Sequence, residues 1–118
     1  MAKYGAVERR DVEIRDNATF TMPFIIKDFS GAVVTLNGWT AKIQFRDVRG
    51  GTALATFTVG SGISIDGPNG KVQLKIQPAT IQGWNFTSGW YDVLLTDTSS
   101  DKFCYTEGTF TVVKGFTQ

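Results

Sequence analysis

The sequence predicts an all-β protein, an antiparallel β-sandwich of seven to eight short strands forming a single domain over residues 1–118. Apolar and polar residues alternate along several segments, which places successive side chains on opposite faces of a strand. Turn-forming residues separate these segments about every 8–12 residues, as is typical of sandwiches and barrels. No segment offers the crossover helices that a parallel α/β sheet requires. A chain of 118 residues is long enough to bury one proper core.

The first half of the chain contains an irregular entry segment and two clear strands. We expect the entry strand to begin near Val12, with residues 1–11 forming an extended arm. In ATFTMPFIIKD every second residue is apolar, namely Phe20, Met22, Phe24 and Ile26. Pro23 lies on the opposite face and lacks an N–H, which predicts an edge strand or a bulge. GWTAKIQFRD repeats the pattern, with Trp39, Ala41, Ile43 and Phe45 expected to point inward.

Glycine-rich and polar turns connect the strands of the middle of the chain. Gly50-Gly51 is expected to open a hairpin, because both residues can adopt positive φ. The turn at residues 66–70 joins GISID to KVQLKIQ, whose apolar positions are Ile63, Ile65, Val72, Leu74 and Ile76. Pro78 can occupy the first position of a helix and Gly83 can end it. This predicts one short helical turn near residues 78–84.

The last two strands are predicted in GWYDVLLTD and KFCYTEGTFTVVKG, with a turn at residues 98–101 between them. Alternation predicts that Tyr91, Val93 and Leu95 point into the core, with Asp92 and Thr96 pointing to solvent. Asp97 is expected to help turn the chain. The most economical architecture for this set of strands is an immunoglobulin-like sandwich.

The composition excludes several kinds of chemistry. The chain has no histidine, which removes Ser-His-Asp and Cys-His catalysis and the usual zinc-ligand sets. Its single cysteine, Cys104, can form no internal disulfide, and Lys102 is the one cation near it in sequence that could activate the thiol. Twelve basic and eleven acidic residues leave a net charge of +1, so nucleic acid is a poor partner. We expect no catalytic residues, no cofactor, no bound metal, no signal peptide and no membrane span.

Two groups of residues are candidates for a site. Three acids near one turn, Asp92, Asp97 and Asp101, could bind calcium, but their spacing matches no calcium loop and acids are common in turns. The aromatic group could form a flat platform for a sugar or contact a protein; its members are Trp39, Trp84, Phe86, Trp90 and Tyr91. Strand alternation favours a core position for Trp39 and Tyr91, and IQGWNF is typical of a cover over one end of a core. The candidate contact residues are therefore Trp84, Phe86 and Trp90, with Trp90 the most plausible of them.

The succession of elements resembles a known family. FIIKDFSGAVVTLNGWTAKIQFRD combines a strand, an Asp-x-x-Gly turn, a short apolar segment ending Leu-x-Gly, and a strand that ends in Arg. GKVQLKIQPATIQGW, SGWYDVLLTD and EGTFTVV follow in that order. Across residues 18–114 this order is similar to the immunoglobulin-like N-terminal domain of phage baseplate upper proteins and related minor tail proteins.

The resemblance implies a structural role and brings no catalytic residues with it. We expect a non-enzymatic virion structural or adaptor domain of a phage tail or baseplate, assembled in the host cytoplasm. Its expected partners are other tail or baseplate proteins and further copies of itself. The alternative is a carbohydrate-binding or adhesin-type module that uses exposed aromatics, with a glycan as its partner. An enzyme is the third hypothesis, because it would have to work with carboxylates alone.

Overall fold

The computed structural model describes residues 8–28, 30–48 and 51–114, and these residues form nine β-strands and one short helix. The strands are β1 (Glu8–Arg9), β2 (Val12–Arg15), β3 (Phe20–Ile25), β4 (Thr40–Arg46), β5 (Ala53–Val59), β6 (Gly62–Asp66), β7 (Lys71–Ile76), β8 (Ser88–Thr96) and β9 (Lys102–Val113). The helix α1 spans Pro78–Gln82 and connects β7 to β8.

Hydrogen bonding follows the order β1-β9-β8-β4-β5-β6-β7-β3, and β2 also pairs with β9. We call β1, β2, β9, β8, β4 and β5 sheet I, and β6, β7 and β3 sheet II. The two sheets meet at a corner where β5 and β6 pair over only two residues, Thr58 with Gly62 and Val59 with Ile63. This arrangement of a larger sheet facing a three-stranded sheet is that of an immunoglobulin-like sandwich, so the predicted fold class is confirmed.

The entry segment differs from a purely antiparallel arrangement. Both β1 and β2 run parallel to β9, so the beginning of the domain lies along its last strand. The nine described strands exceed the seven to eight expected because this segment is interrupted at Arg10–Asp11 and counts as two strands. Of the predicted arm, residues 1–7 lie outside the described residues, and residues 8–11 lie against β9.

The alternating apolar residues of both sheets point toward each other and form one core. Its fully or nearly fully buried members are Ile14, Met22, Phe24, Ile26, Leu36, Ala41, Ile43, Phe45, Ile63, Val72, Leu74, Ile76, Ile81, Tyr91, Val93, Leu95 and Phe110. The inward positions predicted for β3, β4, β7 and β8 are confirmed, except that Phe20 and Trp39 are only half-buried. The half-buried Trp39 ring stacks with Phe103 at a centroid distance of 6.3 Å.

Phe45 lies at the centre of this core. Its side chain has no exposed surface, and its ring contacts four other aromatic rings at centroid distances of 5.0 to 5.8 Å: Phe57, Trp84, Tyr91 and Phe110. Edge-to-face and tilted aromatic pairs of this kind stabilise a core beyond the area that they bury. The centre of the sandwich is therefore aromatic and is shared by β4, β5, β8, β9 and the segment after α1.

The helix forms where the sequence predicts it. Pro78 occupies the first turn, where its missing N–H costs nothing, and the helix ends before Gly83. Ile81 is the buried residue of α1 and anchors this connection to the core. Pro23 also behaves as expected, because β3 is the last strand of the hydrogen-bonded order and so an edge strand.

A β-bulge interrupts the alternation of β9. The register of β8 and β9 shifts between Val93 and Leu94, so that Val93 pairs with Thr106 but Leu94 pairs with Cys104. Continuous alternation would place Cys104 and Thr106 on one face. The bulge instead leaves Thr106 fully buried and Cys104 half-buried on the outer face.

Candidate interaction surfaces

Trp84 and Phe86 lie at one end of the core, directly after α1. Their rings stack at a centroid distance of 4.7 Å, Trp84 contacts Phe45 at 5.6 Å, and Phe86 contacts Phe110 at 5.8 Å. Both residues are half-buried and pack against the core cluster. They form the cover over one end of the core that the sequence suggested.

Trp90 lies on the other side of sheet I. It pairs with Arg46 of β4 and with Thr109 of β9, and it is half-buried. The guanidinium carbon of Arg9 lies 5.1 Å from the centroid of its ring, a cation–π distance. The three candidate contact residues therefore do not form one surface. Trp84 and Phe86 face the core, whereas Trp90 belongs to the outer face of sheet I.

The centre of the outer face of sheet I carries a pair of acids on neighbouring strands. Asp92 pairs with Gln44 on one side and with Glu107 on the other, and all three residues are half-buried. Burial raises the pKa of Asp92 above its usual value, Arg46 opposes this, and the like charge of Glu107 adds to it. The sequence predicted Asp92 to point to solvent. It does lie on the outer face, but neighbouring side chains on that face shield it.

A cleft of about 270 Å³ lies on the same outer face, toward the β8–β9 turn. Hydroxyl, ammonium and aliphatic groups surround it, from Thr40, Lys42, Thr58, Val59, Leu94, Thr96 and Lys102. Threonine hydroxyls can donate and accept hydrogen bonds, and lysine ammonium groups donate only. Its size and lining suit a small polar or anionic group, and no local sequence pattern predicts it, because the lining comes from four different strands.

The break between β1 and β2 is held by side chains and backbone from several elements. The Arg10 N–H donates to Glu107 O at 3.0 Å, and the Arg10 side chain donates to Pro23 O of β3 at 3.0 Å. The Tyr91 hydroxyl donates to Arg10 O. The Asp11 carboxylate accepts the Thr109 N–H at 2.9 Å, and this bond is the largest cause of the lowered pKa of Asp11.

Gly108 allows the break between β1 and β2 to lie close against β9. Gly108 of β9 is buried beneath the break, and a Cβ atom at this position would lie 2.1 Å from Arg10 O. Any larger residue would push the chain at Arg10 away from β9. The residue type at position 108 is therefore fixed by the close approach of two backbones, which no local sequence pattern reveals.

The acids predicted to form a turn do so. The carboxylate of Asp97 is nearly buried and accepts the N–H groups of Ser99 at 2.9 Å and Asp101 at 3.0 Å. This is an Asx-type turn that links β8 to β9. Asp92 lies five positions earlier, within β8. Among residues 8–28, 30–48 and 51–114, no group of three or more acids or cysteines is placed to hold a metal ion.

Several large apolar side chains remain exposed, and three of them lie on β5 or in the turn before it. Leu54 and Val59 of β5 are 39% and 44% exposed, and Val48, in the turn before β5, is 59% exposed. Two others lie elsewhere, Ile25 on β3 and Val33 in the following loop. Val48 and Leu54 lie at the start of β5 and Val59 at its end, about 16 Å along the strand from Leu54, so these side chains are exposed at separate points along β5.

Comparisons with known proteins give a weak structural neighbour and no relative. No family model and no curated protein matches the chain. Among the solved structures that match is the Drosophila OTK fragment containing extracellular domains 3–5, with 10% sequence identity and a TM-score of 0.39. The alignment covers 94% of this chain and 34% of that structure, so the chain spans about a third of its length. We assign the fold from the strand order given above.

Within the part of the chain that the structure describes, α1 has five residues, and no helix there has the length and apolar character to cross a membrane.

Proposed function

We propose that this protein is a non-enzymatic structural or adaptor domain of a phage virion, which assembles with other proteins in a tail or baseplate. In this proposal the domain is made in the host cytoplasm and is present in more than one copy. The observation that carries the proposal is the exposure of three large apolar side chains along β5 and in the turn before it, at Val48, Leu54 and Val59. A contact with another protein would remove these side chains from water and would gain about 25 cal/mol per Å² of apolar surface buried.

The outer face of sheet I supports the same proposal. It offers a broad surface formed by the six strands of sheet I, on which Trp90 and Leu94 are half-buried and polar groups surround them. Aromatic residues with one exposed side and a polar surround are enriched at protein interfaces. The tail or baseplate setting rests on the resemblance of residues 18–114 to phage baseplate domains.

The proposal is tested by reconstituting the domain with the tail and baseplate proteins encoded beside its gene. Each pair is co-expressed and analysed by size-exclusion chromatography with light scattering. We expect a complex of defined stoichiometry with at least one of these proteins, and Val48→Lys in the domain weakens it. The proposal is overturned if no neighbouring gene encodes a tail or baseplate protein, or if none of those proteins forms a complex.

A carbohydrate-binding module is the second candidate, and the outer-face cleft favours it. The cleft combines the hydroxyls of Thr40, Thr58 and Thr96 with the ammonium groups of Lys42 and Lys102. A glycan array should then show binding that Lys42→Ala weakens while the fold is retained. A matched Lys75→Ala variant on sheet II should bind as the wild type does. Absence of binding on a broad array contradicts this candidate.

A further inference from the structure

The edges of the two sheets differ in how they are protected against pairing with another strand. An unpaired strand edge presents rows of N–H and C=O groups, and natural proteins shield such edges with charges, proline, bulges or covering side chains. Sheet I ends at β1 and β2 on one side and at β5 on the other, and β3 is the outer edge of sheet II.

The edge formed by β1 and β2 is strongly charged. The side chains of Arg9, Asp11, Glu13 and Arg15 are all more than half exposed, at 61%, 54%, 59% and 55%. They form the ion pairs Arg9–Asp11 at 3.3 Å and Arg15–Glu13 at 3.5 Å. A strand that approached this edge would have to displace or desolvate these charges, which is unfavourable.

The edge of β3 is blocked by different means. Pro23 lies in the middle of the strand and has no N–H to donate. The carbonyl of Pro23 already accepts the Arg10 side chain at 3.0 Å, and the carbonyl of Ile25 accepts the Tyr105 hydroxyl at 3.0 Å. At Pro23 the edge therefore lacks a donor, and at Pro23 and Ile25 the carbonyl acceptors are already occupied.

The edge of β5 carries no charge and no proline, and its one irregularity is a register shift against β4 at Leu54, between the pairs Phe45–Ala55 and Arg46–Ala53. Residues 52–61, read TALATFTVGS, include no charged residue and no proline. On the side away from β4, β5 pairs with β6 only at Thr58 and Val59, so the stretch from Ala53 to Phe57 has no strand beside it among the described residues. The N–H of Thr58 donates to Ser61 O, and its carbonyl accepts the Ser61 N–H, which shows that the Thr58 backbone faces away from β4. Because the backbone alternates, the N–H and C=O of Thr56 face the same open side.

The lack of charge and proline on the β5 edge also bears on which strand can pair with it. A strand that pairs with β5 needs free backbone N–H and C=O groups on one side, and charges opposite this uncharged edge would lose hydration without gaining a partner charge. Among the edges of the described strands, β5 itself meets these conditions. Antiparallel pairing of β5 with β5 of a second copy places no like charges opposite each other, and it brings small or β-branched residues together near Ala55 and Thr56. Such a pairing is two-fold symmetric, so it closes after two copies.

We propose that two copies of this domain associate through antiparallel pairing of their β5 strands, which joins the two sheets I into one continuous sheet. Leu54 of each copy then lies within the contact, and Val48 and Val59 flank it. This inference rests on the proposed assembly function, since it names one of the contacts through which the domain assembles. The pairing is short, so we expect a weak dimer that a tail or baseplate partner can reinforce.

Analytical ultracentrifugation over a series of protein concentrations tests the proposal. We expect the wild type to shift from monomer to dimer with rising concentration, and Leu54→Lys to raise the dissociation constant by roughly ten-fold or more. Ile25→Lys is the matched control, because Ile25 is also an exposed apolar residue on an edge strand, at 42% against 39% for Leu54. It should dimerise as the wild type does. Urea unfolding of all three proteins establishes that they are folded, and Thr56→Lys replaces Leu54→Lys if the latter is unstable.

The outcomes separate this inference from the proposed function. A wild type that stays monomeric at every concentration, or a dimer that Leu54→Lys leaves intact, overturns the β5 pairing. Equal weakening by Ile25→Lys also overturns it, because the effect would then come from added charge and not from the β5 edge. Loss of the dimer with complexes to tail proteins retained leaves the proposed function standing, and a β5 dimer without any such complex supports the pairing and contradicts the function.

Discussion

Replacing Gly108 by alanine should release the beginning of the domain from its last strand. A Cβ atom at this position would lie 2.1 Å from Arg10 O, so the backbone at Arg10 must move by about 1 Å to reach an ordinary contact. Four hydrogen bonds depend on the present position of Arg10 and Asp11: Arg10 N–H to Glu107 O, the Arg10 side chain to Pro23 O, the Tyr91 hydroxyl to Arg10 O, and Thr109 N–H to Asp11.

The expected decrease in the free energy of unfolding follows from the loss of these hydrogen bonds. A hydrogen bond within a protein contributes about 0.5–1.5 kcal/mol net, so loss of most of them should lower the free energy of unfolding by about 2–4 kcal/mol. Urea unfolding followed by tryptophan fluorescence measures this change. Residue-resolved hydrogen exchange should also show faster exchange at the amides of Arg10 and Thr109, whose N–H groups donate across the break.

Gly83→Ala is the matched control for this prediction. Gly83 follows α1 with a negative φ of −78°, and a Cβ atom there would meet its nearest neighbour at an ordinary 3.5 Å. This variant should be as stable as the wild type or slightly more stable, because alanine reduces the entropy of the unfolded chain. If Gly108→Ala unfolds at the same urea concentration as the wild type, with Arg10 and Thr109 still protected, the reasoning about this close approach is refuted.

Three further predictions concern the core, the β8–β9 turn and the acids. Phe45→Ala should cost about 3–5 kcal/mol in urea unfolding, because it leaves a cavity amid four aromatic rings. Asp97→Ala should cost about 2 kcal/mol, since two backbone N–H groups lose a charged acceptor, whereas the exposed Asp101→Ala should stay within about 0.5 kcal/mol of the wild type. As pH rises, Asp92→Asn should become more stable relative to the wild type. Over the same change, Asp28→Ala should become less stable relative to the wild type.

Proton linkage explains why the stabilities of the two variants, relative to the wild type, change in opposite directions as pH rises. Burial raises the pKa of Asp92, so the folded protein binds this proton more tightly than the unfolded chain does. Its contribution to stability is complete below the unfolded pKa and is lost as pH rises through the folded pKa. A hydrogen bond from Ser30 is the first cause that lowers the pKa of Asp28, so that contribution is present above the unfolded pKa and is lost as pH falls through the folded pKa. Urea titrations between acidic and neutral pH measure both differences, and a pH-independent difference for either variant contradicts its assignment.

A different result would contradict each of the predictions for Phe45→Ala and Asp97→Ala. An unchanged free energy of unfolding for Phe45→Ala would mean that the aromatic centre is not packed as described. If Asp97→Ala and Asp101→Ala had equal effects, the carboxylate of Asp97 would not be the acceptor that shapes the turn.

Much of the sandwich could be predicted because its strands follow local rules. Period-two alternation places Met22, Ile43 and Val93 on the buried face, and proline and glycine mark the ends of α1. These signals depend on residues within a few positions of one another. They are sufficient to give the strands, their inward faces and the turns between them.

Features that depend on contacts between distant segments could not be predicted. The parallel pairing of β2 with β9 joins residues nearly one hundred positions apart, as does the bond between Thr109 and Asp11. The bulge opposite Leu94 places Cys104 and Thr106 on opposite faces of β9, although they are two positions apart. Trp84, Phe86 and Trp90 are close in sequence, yet a strand start between them sends Trp90 to the other face of sheet I.

Residue-resolved hydrogen exchange of the wild type in dilute and in concentrated solution tests the fold and the β5 pairing most directly. The fold and the β5 pairing together predict that the Thr56 amide exchanges fast when the protein is dilute and becomes protected when it is concentrated. The Ile43 amide, within the central strand β4, should be protected under both conditions. A Thr56 amide with the same exchange rate at both concentrations would contradict the account, as would an Ile43 amide that exchanges freely.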